Sequence, residues 1–183
     1  MARGDGRRRL LWRRAGLGLF AILLSFGYVG TNEAFPQRSG CTLATYTDPP
    51  RQVLRCRDGL EVSAESAADY SLINGPRGRP VGARLQNKGL FIDLSPGRPG
   101  GFQISTPHAV ASVRGTRWAV DVNPERTSVF VRDGSVDVRR QGSMDFVRLR
   151  AGDGVDVEAG QEPLRVTRWS TERAALLLGR FGL

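Results

Sequence analysis

The chain has 183 residues, enough for one domain and a targeting segment. A hydrophobic fraction of 40% and three tryptophans exclude a disordered chain, and 23 glycines with 10 prolines favour many short elements over a few long helices. The net charge of +9 does not mark a nucleic-acid surface: Arg3, Arg7, Arg8, Arg9, Arg13 and Arg14 against Asp5 give the first 14 residues +5, and the remaining +4 is dispersed.

Residues 15–30 carry no charge and follow this arginine-rich head, so positive charge stays inside and the C-terminal part is exported. Sixteen helical residues would span about 24 Å, short of the roughly 30 Å hydrocarbon core. Residues 1–30 therefore read either as a cleaved signal peptide or as a membrane anchor. Ser25 and Gly27 give only a weak cleavage site. Arg7-Arg8-Arg9-Leu10-Leu11 looks like a twin-arginine signal, but arginine runs are ordinary in such heads. Ser39-Gly40-Cys41 looks like the end of a lipid-attachment box, which Arg38 spoils.

Residues 31–40 read as a linker with Pro36 and Gly40. Cys41 and Cys56 are the only cysteines, and an even number in an exported chain predicts one disulfide between them. From 41 to 168 the chain alternates apolar and polar residues in short runs. Expected strands are Val53–Cys56, Leu60–Ala64, Tyr70–Ile73, Leu90–Leu94, Phe102–Ile104, Ala109–Val113, Trp118–Val122, Thr127–Arg132, Val136–Val138, Phe146–Leu149, Val155–Val157 and Leu164–Val166. Asp58-Gly-Leu-Glu-Val62 and Asp153-Gly-Val-Asp-Val157 repeat one another, with looser copies at 133–138 and 89–93. A glycine turn before an alternating strand explains each copy. The repeats fit hairpins of a β-sandwich and rungs of a β-solenoid equally well. Residues 169–183 switch to helix formers: Ser170 is a cap, and Ala174, Leu177, Leu178 and Phe181 share a face suited to covering an open end or edge of the β domain.

Catalytic signals are faint. His108 has no companion ligand at metal spacing, and no Gly-x-Ser-x-Gly elbow occurs. Asp133, Asp137, Asp153 and Asp156 follow turn and strand-exterior logic, and Glu61 and Glu65 both belong on the outer face of a strand. The expectation is a protein that is not an enzyme, with no catalytic, cofactor or metal residues, no small-molecule ligand and no nucleic-acid partner.

The most distinctive stretch is residues 102–122. Thr106-Pro107 should end one strand and launch the next, Arg114-Gly115-Thr116 should turn the chain, and Trp118 should face the core with Val120 and Val122. This segment, with Val113 before the turn, resembles the signature of the FecR domain: Thr-Pro, small and aliphatic residues, Val-Arg-Gly-Thr, an aromatic, then Val-x-Val. Residues 127–138 and 149–154 are similar to later parts of the family pattern. The resemblance implies a periplasmic, solenoid-like β domain that relays signals by binding another envelope protein. The family's namesakes place a sigma-binding domain before the membrane segment. Only about 14 residues stand there in this sequence, so a sigma-regulator role is not expected of it. The expected location is the periplasm, either soluble after cleavage or held in the inner membrane by residues 15–30. Binding to peptidoglycan or another envelope glycan is the alternative function.

Overall fold

The computed structural model describes residues 40–183. The expected signal or anchor segment 1–30 and the linker up to residue 39 lie outside the described residues. The chain opens with an antiparallel meander of β1 (Cys41–Thr47), β2 (Pro50–Cys56) and β3 (Leu60–Glu65). It continues into β4 (Asp69–Asn74) and, past a 3-10 turn at Pro76–Gly78, the long β5 (Pro80–Leu94). β6 (Phe102–Ser105), β7 (Ala109–Val113), β8 (Arg117–Val122) and β9 (Arg126–Asp133) follow. β10 (Ser135–Arg140), β11 (Phe146–Arg150), β12 (Asp153–Glu158), β13 (Thr167–Arg168) and the helix α1 (Thr171–Gly179) complete the domain.

All the strands belong to one sheet that doubles over along β5. The first half of β5 pairs with β4 and β6, and the second half pairs with β3 and β8. Between the halves Lys88 has a φ of 68°. The result is two layers: β1-β2-β3-β5-β8-β9-β12-β13, and β4-β5-β6-β7-β10-β11. After β5 the chain lays down hairpins in alternate layers: β6–β7 in the second, β8–β9 in the first, β10–β11 in the second, then β12–β13 in the first. Among the described pairs only β5–β6 is parallel. This is the sandwich arrangement; rungs of a solenoid would lie parallel on their predecessors.

Alternation drives the layers together. Leu90, Ile92 and Leu94 of β5, Trp118, Val120 and Val122 of β8, and Val129 and Val131 of β9 turn inward from the first layer. Leu85, Ile104, Val136, Val138 and Leu149 meet them from the second. Trp118 is fully buried at the centre, with its Nε1 unpartnered among the described residues.

The structure corrects several details. Leu164–Val166 is not a strand, and the pairing there is limited to Thr167–Arg168 against β12. The Asp-Gly repeats do different work: Asp58-Gly59 closes the β2–β3 hairpin, whereas Asp133-Gly134 carries the chain from one layer to the other. Gly89 and Gly154 make no left-handed turn; they leave room for the C-terminal segment.

Candidate functional site

The Val113–Trp118 segment sits where β7 leaves the second layer and β8 begins in the first. Val113 is buried in the core and Arg114 projects outward. Gly115 takes a φ of 68°, and a side chain there would press on the Pro96 backbone at 3.2 Å. Thr116 is buried, and its Oγ1 donates to the Ser135 carbonyl at 2.9 Å. It therefore ties this crossing to the neighbouring β9–β10 crossing. The Leu94 amide donates to the Thr116 carbonyl, which adds the end of β5 to the same knot. At the opposite end, buried Thr106 closes the β6–β7 hairpin: its Oγ1 accepts from the Ala109 amide at 2.9 Å and meets Thr127 Oγ1 at 2.8 Å. Pro107 is exposed in that turn, and His108 Nδ1 lies 3.2 Å from Thr127 Oγ1. Cys41 and Cys56 are cross-strand partners in β1–β2 and form a disulfide.

A buried polar anchor went unnoticed in the sequence. Arg98, its side chain fully enclosed, donates to Asp58 at 3.0 Å and also to the Pro80 carbonyl. It pins the 95–101 loop across the start of β3 and β5. No local pattern marks it, since Asp58 and Arg98 are 40 residues apart.

The outer faces of the two layers differ. The first is covered by α1 and its approach: Phe91, Ala119 and Phe130 point outward and pack against Trp169, Leu177 and Phe181. Trp169 stacks on Phe130 with ring centroids 5.1 Å apart. The predicted apolar helix face is thus real, but it covers the flat of a layer, not an open end or edge, because Phe91, Ala119 and Phe130 give that flat an apolar surface. A side chain at Gly154 would overlap the Trp169 indole, and one at Gly89 would lie 2.8 Å from the tip of Phe181. Two arginines clamp the helix. Arg173 donates to both oxygens of Asp156 at 2.7 and 2.8 Å and lies 3.6 Å above the Trp169 ring. Arg180 bridges Glu65 and Asp121. Burial pushes the Asp156 carboxyl up, but hydrogen bonds from Arg173 and Ser128 and the charges of Arg173 and Arg126 hold it below its ordinary value. Ser170 caps the helix by accepting from the Arg173 amide.

Among the described residues, no helix covers the outer side of the second layer. Gln103, Ser112, Asp137 and Arg148 stand in one cross-strand row over β6, β7, β10 and β11. With Arg114 and Ser135 they line a shallow basin of about 620 Å³. Arg148 donates to Asp137 at 2.6 and 2.9 Å, which holds the Asp137 carboxyl below its ordinary value. The four aspartates singled out in the sequence each face an arginine: Asp133 meets Arg117 and Arg132, Asp153 meets Arg168, Asp137 meets Arg148 and Asp156 meets Arg173. Glu61 pairs with Arg55 on the outer face of β3, and Glu65 with Arg180.

Residues 47–137 match the FecR protein family, and the chain carries a FecR domain. Two crystal structures of a protein described as a candidate anti-sigma factor from Parabacteroides distasonis ATCC 8503, at 2.50 and 1.65 Å resolution, share the fold. Each aligns with a TM-score of 0.56 and 17% identity over 75% of this chain, and the chain spans 64% of their length. No curated protein matches.

Proposed function

We propose that this chain is a periplasmic, non-catalytic interaction module of the bacterial envelope that binds another envelope protein within a transmembrane signalling system. The observation that carries the reading is the contrast between the outer faces: among the described residues, one is sealed by the domain's own helix and the other is left open, polar and shallow. An open face spread over four strands suits a macromolecular surface better than an enclosed small-molecule site. The matching family and the anti-sigma description of the structural neighbour support a signalling context. The basic head and apolar residues 15–30 support export, as does the Cys41–Cys56 bond, which persists in oxidising compartments.

Chemical cross-linking of intact cells followed by purification tests this reading. A protein recovered at constant stoichiometry is the expected result. Retention on isolated cell wall with no protein partner would favour the glycan-binding alternative and end the proposal.

A further inference from the structure

Arg114 is the residue of the Val113–Trp118 segment that packing does not explain. Val113, Thr116 and Trp118 are buried, and Gly115 is required by its backbone. Arg114 is exposed, and no hydrogen bond or ion pair engages its guanidinium among the described residues. The crossing knot fixes its backbone from both sides, so the fold positions this side chain without using it. It borders both the 620 Å³ basin and an adjoining depression of about 510 Å³ formed by the 96–100 loop.

The surrounding face has one sign. Along the outward positions of β6, β7, β10 and β11, Asp137 is the one carboxylate. It is exposed and shared with Arg148, a pair of the kind readily exchanged for another carboxylate. Arg150 lies two positions beyond Arg148 on the same edge strand, and its side chain has no partner among the described residues. Gln103 and Ser112 add neutral hydrogen-bonding groups on the floor.

We propose that this face is the docking surface for an acidic segment of a protein partner, with Arg114, Arg148 and Arg150 receiving its carboxylates. The inference rests on the interaction-module reading. Charge complementarity selects an anion, and guanidinium forks match carboxylates with paired, directional hydrogen bonds. Spacing selects an extended peptide. Two same-face positions on a strand lie about 6.6 Å apart, the interval at which carboxylates recur on alternate residues of an extended chain. A peptide of acid-x-acid pattern running along β11 therefore meets Arg148 and Arg150 in step, with Arg114 across the basin.

The test uses the purified full chain and a fluorescein-labelled synthetic peptide of alternating glutamate and threonine, followed by anisotropy. Saturable binding is expected, weakening as salt is raised. R114A and R150A should each weaken it about tenfold, and D137N should tighten it by freeing Arg148. A loss of folding cannot produce effects of opposite sign, and R55A, on β2 of the first layer, should change nothing. Unchanged binding in both R114A and R150A overturns the proposal. So does linear polyphosphate binding as tightly as the peptide, which would make the face a general anion sink. In cells, a photo-crosslinking residue at Gln103 should capture a protein. A protein adduct from Leu43 or Leu176 but none from Gln103 removes this surface and leaves the interaction-module reading standing. No protein adduct from any of the three removes that reading as well.

Discussion

The two layers bury their inner faces in the same way and diverge on their outer ones. The first layer places Phe91, Ala119 and Phe130 outward, so it has two apolar faces and needs a lid, which α1 supplies. The second layer turns mostly polar or charged residues outward on β6, β10 and β11, so that face tolerates water. The same kind of contact, an aspartate with an arginine, is more enclosed on the covered face than on the open one.

That contrast can be broken at four levels. The largest effect is expected from Trp118→Ala, which empties the core shared by both layers. It should cost about 3–5 kcal/mol, enough to abolish folding of a small domain, and a thermal melt reads it. An unchanged midpoint would contradict the central placement of this ring. Next, Gly154→Val should displace Trp169 and unseat α1 at a cost of about 1–3 kcal/mol while the inner core survives. Amide exchange should rise in α1 and hold steady in β8.

Smaller still is the paired comparison of carboxylates. Asp156→Asn on the covered face should cost about 1 kcal/mol, because it leaves Arg173 partly buried without its partner. Asp137→Asn on the open face should cost about 0.5 kcal/mol at most, since exposed pairs are screened. Chemical denaturation of the two variants side by side checks the ranking. The mildest perturbation is acid. Asp156 titrates below its ordinary value in the folded domain. Its stabilisation is therefore complete above the usual carboxylate range, near pH 4, and is lost as pH falls below that range through the depressed value. Amide exchange of α1, corrected for its intrinsic pH dependence, should show constant protection between pH 8 and pH 5 and loosening only below about pH 4.

Much of the β domain was legible because burial of one face imposes period two. β7 has the bounds expected, and Trp118 with Val120 and Val122 lies on the inner face as read. The elements missed lack that signature. β1 is an edge strand in which only Cys41 is buried, so its threonines carry no alternation. The first half of β5 contains Pro80 and Gly82, which read as breakers; Gly82 is instead where the Gln103 carbonyl comes within 2.6 Å of any added side-chain carbon. Leu164–Val166 alternates but forms no strand in the structure. The helix was visible in its cap and its face, but its seat was not. That seat depends on Gly89 and Gly154 having no side chain opposite residues far along the chain. The open face was invisible for a similar reason: Arg114, Arg148 and Arg150 look scattered until β7, β10 and β11 lie side by side.

The position of the disulfide bears on how the domain would carry a load. The described chain enters at Gly40, directly before the Cys41–Cys56 pair that forms the first rung of the β1–β2 ladder. Tension arriving from the N-terminal side would otherwise peel β1 from β2 one rung at a time, starting at that pair. The covalent bridge diverts it past the edge hairpin into β2, which is flanked by β1 and β3 and loads its ladder with β3 along its length. In a reducing environment the weakest path would be the peeling of β1; in an oxidising one the load goes straight to the body of the first layer. The bond thus works as a strain relief, of the sort that keeps a pull on a cable from reaching its first solder joint.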